Sequence, residues 1–217
     1  MKPTGIKTIQ DCFLYALTPP DLEKDSTSWN KVIESIGQGI DLLQLRLKGK
    51  TDRQILDLGQ QIRRLTREAG IMLIMNDRLD FCQILDADGL HLGQDDIPLE
   101  EARKILGPRK IIGVSTHTLA QACEAEQAGA DYLGYGPCYL TVTKKDTSPR
   151  ISFEDITRLR QTLKIPFFVI GGLSLENLPP VVSAGASRIA VSAGIYQTSN
   201  IRLTIRHIRQ ILAQRSA

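Results

Sequence analysis

Apolar residues along this chain recur in two alternating rhythms. Short runs rich in Val, Ile, Leu and Tyr are followed by longer stretches of helical period, and each junction carries Gly, Asp, Asn, Ser or Thr. That alternation predicts parallel βαβ units. Eight strands are expected: Phe13–Leu17, Leu42–Leu47, Met72–Asn76, Gly89–Leu92, Ile111–Ser115, Tyr132–Gly136, Phe167–Gly171 and Arg188–Ser192, each followed by a helical stretch. The segment Thr51–Ala69 is an example of the helical rhythm. Ile55, Leu56, Leu58, Ile62 and Leu65 fall near an i, i+3, i+4, i+7 stripe, while Arg53, Asp57, Gln60 and Arg64 face away. Asp52 or Thr51 is placed to cap its start.

Eight strand-helix repeats close into a (β/α)8 TIM barrel without leaving an edge strand, whereas an open sheet of eight would be unusually wide. The 217 residues come close to the roughly 250 typical of that barrel. No Pro/Gly/Ser linker or low-complexity stretch divides them, so residues 1–217 are expected to form a single domain.

Composition narrows the function classes. With 42% hydrophobic and 24% charged residues the chain reads as a soluble globular protein. No apolar run approaches the ~20 residues that span a bilayer, so no membrane partner is expected. A formal charge of +3, dispersed along the chain, gives no nucleic-acid footprint. The first residues, Met1–Gln10, carry lysines without an apolar core, unlike a secretory signal, so the expected location is cytoplasmic. Cys12, Cys82, Cys123 and Cys138 form no CxxC pair or metal-ligand spacing, and His91, His117 and His207 are equally scattered. Reduced, mostly buried thiols are expected.

In a barrel of this kind the active site lies at the C-terminal ends of the strands, so polar residues there are the ones to read. The second strand runs Gln44-Leu45-Arg46-Leu47-Lys48, and its two-residue period puts the polar triplet on one face and the leucines on the other. If the leucines meet the helices, the triplet faces the barrel mouth and needs an anionic ligand or acidic neighbours, because unpaired burial costs several kcal/mol per group. The Gly49-Lys50-Thr51 that follows is not a P-loop, since Gln44 stands where a glycine is required.

The third strand ends at Asn76-Asp77, and the fourth runs out through Gly93-Gln94-Asp95-Asp96. Asp77 and Asp96 suit a shared Mg2+, and they suit equally well the capping of the helices that follow. After the sixth strand comes a long polar loop, Gly136 to Asp146, whose hydroxyls and lysines can meet a phosphate. Gly171-Gly172 and Ser192-Ala193-Gly194 end the seventh and eighth strands. This is where barrels recurrently bind phosphate, and glycine lets backbone N–H groups come close to it.

Together these residues resemble the thiamine phosphate synthase family from about Phe13 to Ile195. The resemblance rests on Gln44-x-Arg46-x-Lys48, Asn76-Asp77, His91-x-Gly93-Gln94-x-Asp96, Gly113-Val114-Ser115-Thr116-His117 and Gly136-Pro137-x-Tyr139-x-Thr141-x-Thr143-Lys144-Lys145. It implies a transferase of thiamine biosynthesis with two small-molecule substrates. An aminopyrimidine diphosphate is joined to a thiazole phosphate, or its carboxylated form, giving thiamine phosphate and pyrophosphate.

The same resemblance implies that Gln44, Arg46, Lys48, Asn76, Ser115 and Lys144 hold the pyrimidine diphosphate, with Arg46, Ser115 and Lys144 as catalytic residues. Asp77 and Asp96 would bind Mg2+. Thr141, Thr143, Gly172 and the Ser192-Ala193 backbone would hold the thiazole phosphate. Departure of pyrophosphate would leave a pyrimidine-methyl cation for the thiazole nitrogen to capture. The chain departs from the family pattern at Leu140, where proline is usual, and at Ser192, which stands one place early. The shift favours backbone groups over the Ser192 hydroxyl. Homo-oligomerisation stays open.

Two other readings use the same barrel. A thiazole tautomerase would rely on a histidine base, with His117 in a comparable place, but has no use for Asp77, Asp96 and Lys144 together. A non-catalytic thiazole-phosphate sensor would need Gly172 and Ser192 alone.

Overall fold

The computed structural model describes residues 8–140 and 149–214. Eight parallel strands alternate with helices and close into a barrel, with β1 paired to β8 as well as to β2. In chain order they are β1 (Leu14–Leu17), α1 (Thr27–Ile36), β2 (Leu42–Leu45), α2 (Asp52–Ala69), β3 (Met72–Asn76), α3 (Leu79–Ile84), β4 (Gly89–Leu92) and α4 (Leu99–Leu106). The second half runs β5 (Ile111–Thr116), α5 (Leu119–Gln127), β6 (Tyr132–Tyr135), α6 (Phe153–Thr162), β7 (Phe167–Ile170), α7 (Leu178–Ser183), β8 (Ile189–Val191), α8 (Ala193–Tyr196) and α9 (Ile201–Ala213).

The two-residue period sorts side chains into two cores. Leu43, Leu45 and Leu47 turn outward into the layer between sheet and helices, where they join Ile55, Leu58 and Ile62 of α2. Leu42 and Gln44 turn inward, Leu42 joining Tyr15, Met72, Ile74, Tyr132, Phe168 and Ala190 in the barrel interior. The helical stripe read from the sequence is the buried one, except that Leu56 and Leu65 are only half-buried while Gly59 and Thr66 complete the face. Thr51, not Asp52, caps α2: its Oγ1 accepts from the Gln54 N–H at 3.4 Å, and Gln54 Oε1 accepts from the Thr51 N–H at 2.9 Å. Two otherwise orphaned donors are satisfied by that exchange.

Several strands stop short of their expected ends. β2 ends at Leu45 because the next amide, that of Arg46, donates to the Thr18 hydroxyl at 2.9 Å instead of to a strand carbonyl. The Thr18 hydroxyl in turn donates to the Arg46 carbonyl at 3.2 Å. Arg46 and Lys48 therefore leave the sheet on a segment tied to the loop after β1, still on the side where the period placed them. At the opposite end of the barrel, the buried Asp41 carboxylate accepts from the Phe13 and Leu14 N–H groups at 2.9 and 3.0 Å and pairs with Arg209 at 2.6 Å. No helix of the described residues is long and apolar enough to cross a membrane. The four cysteines carry free thiols, three of them buried.

Candidate active site

The strand ends surround a cavity of about 420 Å3, and Arg46, Ser115, Gly172, Ser192 and Ala193, five of the residues singled out from the sequence, line it. His117 lines it too. Its Nδ1 lies 2.5 Å from the Gly136 carbonyl oxygen, and its backbone N–H donates to Gln121 Oε1 at 2.8 Å.

Arg46 is half-buried, and burial lowers its pKa from the ordinary arginine value, an effect the Asp77 charge opposes. A guanidinium partly withdrawn from water, with the Asp77 charge near it, can receive a further anion. Gln44 is only 2% exposed, and its Nε2 donates to the Tyr15 hydroxyl at 2.8 Å. Asn76 is buried at the end of β3, paired in register with His91. Lys48 remains on the rim, where its Nζ lies 3.0 Å from Asp77 Oδ2. Pairing with an acidic neighbour, one of the two readings open for the triplet, is thus the state of Lys48. Gln44 instead bonds Tyr15, and Arg46 lines the cavity within the field of the same Asp77.

The two carboxylates read as metal ligands come together beside Lys48. Burial raises the Asp96 pKa from its ordinary value, and a hydrogen bond and like charge from Asp77 push the same way, against the Gly93 N–H and the Lys48 charge. Asp96 Oδ2 accepts that Gly93 N–H at 2.6 Å. Neither residue caps a helix: α3 starts from Arg78 and α4 from Pro98. Asp77 has a φ of +59°, a conformation that short polar residues tolerate better than others, and its amide is held by the His91 carbonyl at 2.9 Å. Strain of that kind is kept where a side chain must face one way. Among the described residues no group of three or more His, Cys, Asp or Glu side chains could enclose a metal. A pair of neighbouring hard oxygen donors nevertheless matches what Mg2+ takes from proteins, the rest of its shell coming from waters and substrate phosphates.

Across the mouth, Gly172 has a φ of +60°, and a Cβ there would lie 2.4 Å from the Leu140 carbonyl oxygen. Only glycine lets the segment after β6 pass that closely over the end of β7. The Gly172 carbonyl accepts from Asn177 Nδ2 at 2.8 Å, and Asn177 Oδ1 accepts the Ser174 N–H at 2.8 Å, which shapes the loop before α7. Ser192 Oγ is buried with no hydrogen-bond partner among the described residues. An orphaned hydroxyl beside a cavity fits an absent acceptor such as a phosphate.

Ser115 is held from two sides: its Oγ lies 2.9 Å from His91 Nε2, and its carbonyl accepts from Gln94 Nε2 at 2.5 Å. Thr141, Thr143 and Lys144 lie outside the described residues. Sequence reading missed Tyr15 and Tyr132, whose hydroxyls join Gln44 and His91 inside the barrel. It also missed the loop Ser174–Glu176, which lines the cavity. The inward-facing tyrosines were visible only as members of apolar runs.

The sequence pattern of the thiamine monophosphate synthase family matches residues 14–195. The thiamine-phosphate synthase of Halalkalibacterium halodurans is 40% identical over 207 residues, covering 95% of this chain and 98% of that protein. That of Syntrophomonas wolfei is 41% identical over 201 residues, covering 93% and 96%. Among solved structures, thiamine phosphate pyrophosphorylase from Pyrococcus furiosus superposes with a TM-score of 0.85 at 32% identity, over 95% of this chain and 98% of that one.

Proposed function

The chain belongs to the thiamine monophosphate synthase family, and we propose that its barrel mouth binds the two substrates side by side, the pyrimidine diphosphate toward β2–β5 and the thiazole phosphate toward β6–β8. It is a transferase that makes thiamine phosphate. The observation that supports the placement is the Lys48–Asp77–Asp96 cluster, linked to the cavity through Arg46, which lines it and feels the Asp77 charge. Two carboxylates in contact repel each other, and a diphosphate arriving with a divalent cation reverses that sign.

Asp77 and Asp96 are the pair proposed to hold Mg2+, which when bound would neutralise charge on the departing pyrophosphate. Lys48, which pairs with Asp77 in this structure, would be free to turn to the same oxygens once a cation took up the Asp77 charge, and Arg46 would meet the anion from inside the cavity. Ser115 and Lys144 donate to the diphosphate, and Gln44 and Asn76 orient the pyrimidine. Donors that meet the leaving oxygens where charge develops lower the barrier. Thr141, Thr143, Gly172, Ser192 and Ala193 hold the thiazole phosphate so that the ring nitrogen faces the pyrimidine-methyl carbon. As that carbon loses pyrophosphate and becomes cationic, the nitrogen must be in line and water absent. The apolar wall of Leu17, Ile170 and Leu173 supports exclusion of water.

The test is direct. Protein, Mg2+, pyrimidine diphosphate and thiazole phosphate are mixed, and thiamine phosphate is read by fluorescence after oxidation. Product that depends on all four components is the expected result; no product with either thiazole form refutes the reading.

A further inference from the structure

A continuous chain of hydrogen bonds crosses the barrel interior and ends on two of the proposed substrate-binding side chains. Gln44 Nε2 donates to Tyr15 Oη at 2.8 Å; Tyr15 Oη and Tyr132 Oη lie 2.9 Å apart. Tyr132 Oη lies 3.0 Å from His91 Nδ1, and His91 Nε2 lies 2.9 Å from Ser115 Oγ. The rings are locked by packing: Tyr15, Tyr132 and Phe168 meet edge to face with centroids 5.3 to 5.9 Å apart. Space for them is cleared by glycines, since a Cβ on Gly113 would lie 2.1 Å from the Tyr132 ring and one on Gly134 would lie 3.2 Å from His91. Burial pushes both tyrosine pKa values up, so both phenols keep their protons and can serve as donors.

We propose that Tyr132 is a positioning residue for the pyrimidine diphosphate: through Tyr15 it fixes which end of the Gln44 amide faces the ligand, and through His91 it fixes the direction of the Ser115 hydroxyl. The polarity follows link by link. An amide nitrogen only donates, so Tyr15 Oη accepts from Gln44 and must give its own proton to Tyr132. Tyr132 then donates to His91 Nδ1, which leaves the imidazole proton on Nε2, pointing at Ser115 Oγ. Ser115, already an acceptor from His91, has its proton to give outward. A diphosphate oxygen can only accept, so this is the orientation the anion needs. At the far end the Gln44 carbonyl oxygen is left to meet a donor, such as an amino group on the pyrimidine. Reversing the amide reverses every proton and turns the Ser115 lone pairs toward the anion.

The proposal rests on assigning Gln44 and Ser115 to the pyrimidine diphosphate. Steady-state kinetics on Tyr132→Phe, Ser115→Ala, Gln44→Ala and the double variant Tyr132→Phe with Ser115→Ala separate the two ideas. Tyr132→Phe should raise KM for the pyrimidine diphosphate about ten-fold, the low end of the effect of losing one well-directed hydrogen bond to a charged group. KM for the thiazole phosphate should not move, and in the Ser115→Ala background the tyrosine change should add nothing. In 15N-labelled wild-type protein His91 should be the Nε2–H tautomer.

A normal pyrimidine KM in Tyr132→Phe beside a raised one in Ser115→Ala overturns the relay and leaves the site assignment standing. Normal values in Ser115→Ala and Gln44→Ala overturn both. Equal increases for the two substrates, full additivity in the double variant, or an Nδ1–H tautomer for His91 would each overturn the positioning role. If Tyr132→Phe fails to fold by circular dichroism, Tyr15→Phe breaks the same chain one link earlier, pairs with Gln44→Ala in the cycle, and is read by the same criteria.

Discussion

Lys48 Nζ sits 3.0 Å from Asp77 Oδ2 on the rim of the barrel mouth, although the two residues come from the ends of different strands and their side chains remain 56% and 23% exposed. An ion pair this open contributes about 1 kcal/mol or less to stability, and its value lies in holding two ligand-binding groups in place.

Activity should therefore depend on a divalent cation. Asp77→Ala or Asp96→Ala should abolish synthesis while leaving the protein folded. Removing one carboxylate relieves a repulsion, which offsets part of the cost: loss of the Lys48 ion pair and an alanine at a φ of +59° in one variant, loss of the acceptor for the Gly93 N–H in the other. Rates measured with Mg2+ against excess EDTA, together with circular dichroism of both variants, check this. Wild-type turnover in EDTA would refute the metal role.

Lys144→Ala should lower turnover about 100-fold, the effect of losing one donor that stabilises charge in the transition state. Lys50→Ala should leave kcat near the wild-type value. Lys50 directly precedes the Thr51 cap of α2, and its side chain, only 14% exposed, pairs with Glu23 at 2.8 Å. The control thus loses an ion pair away from the cavity, so its Tm is measured alongside its rate. Equal losses of kcat at both positions would refute the assignment of the loop after β6.

The barrel was legible in the sequence because its signal is repetition: each apolar run needed only to be recognised as a strand, and the alternation of Leu43 and Leu45 with Leu42 and Gln44 reports the two faces unaided. The rim was legible because its chemistry is local, with Asp77 directly after β3 and Asp96 four residues after β4. What stayed hidden is long-range. Tyr15 and Tyr132 are 117 residues apart and meet only once the barrel closes. Strand ends were misjudged where a side chain takes over from the ladder, as the Thr18 hydroxyl does at Arg46, and no periodicity announces such an exchange.

His117→Ala should retain substantial synthase activity. The thiazole nitrogen forms its new bond without losing a proton, so the coupling step asks for no base, and the tie of His117 Nδ1 to the Gly136 carbonyl gives the ring a structural role at the cavity wall. Turnover and both KM values are the measurement. Unchanged binding with turnover eliminated would favour a tautomerase-like role for this histidine.

Ser192 and Gly172 should fail in different ways when changed. The displaced serine suggested that backbone N–H groups mainly hold the thiazole phosphate, with a loss of only a few-fold for Ser192→Ala. The buried Ser192 Oγ, unpartnered among the described residues, shifts that expectation. A hydrogen bond to a charged group contributes about 1.5–3 kcal/mol, so Ser192→Ala should raise KM for the thiazole phosphate about ten-fold or more. Its Tm should hold or rise, because the orphaned hydroxyl is removed. Gly172→Val should act on the fold first: at φ +60° any side chain is strained, and a Cβ 2.4 Å from the Leu140 carbonyl oxygen displaces the segment after β6. It should lower Tm and raise the thiazole KM together. Thermal melts and kinetics on both variants give the comparison. A near-normal KM in Ser192→Ala would return the phosphate to the backbone donors, and a Gly172→Val protein with wild-type Tm and KM would remove Gly172 from the site.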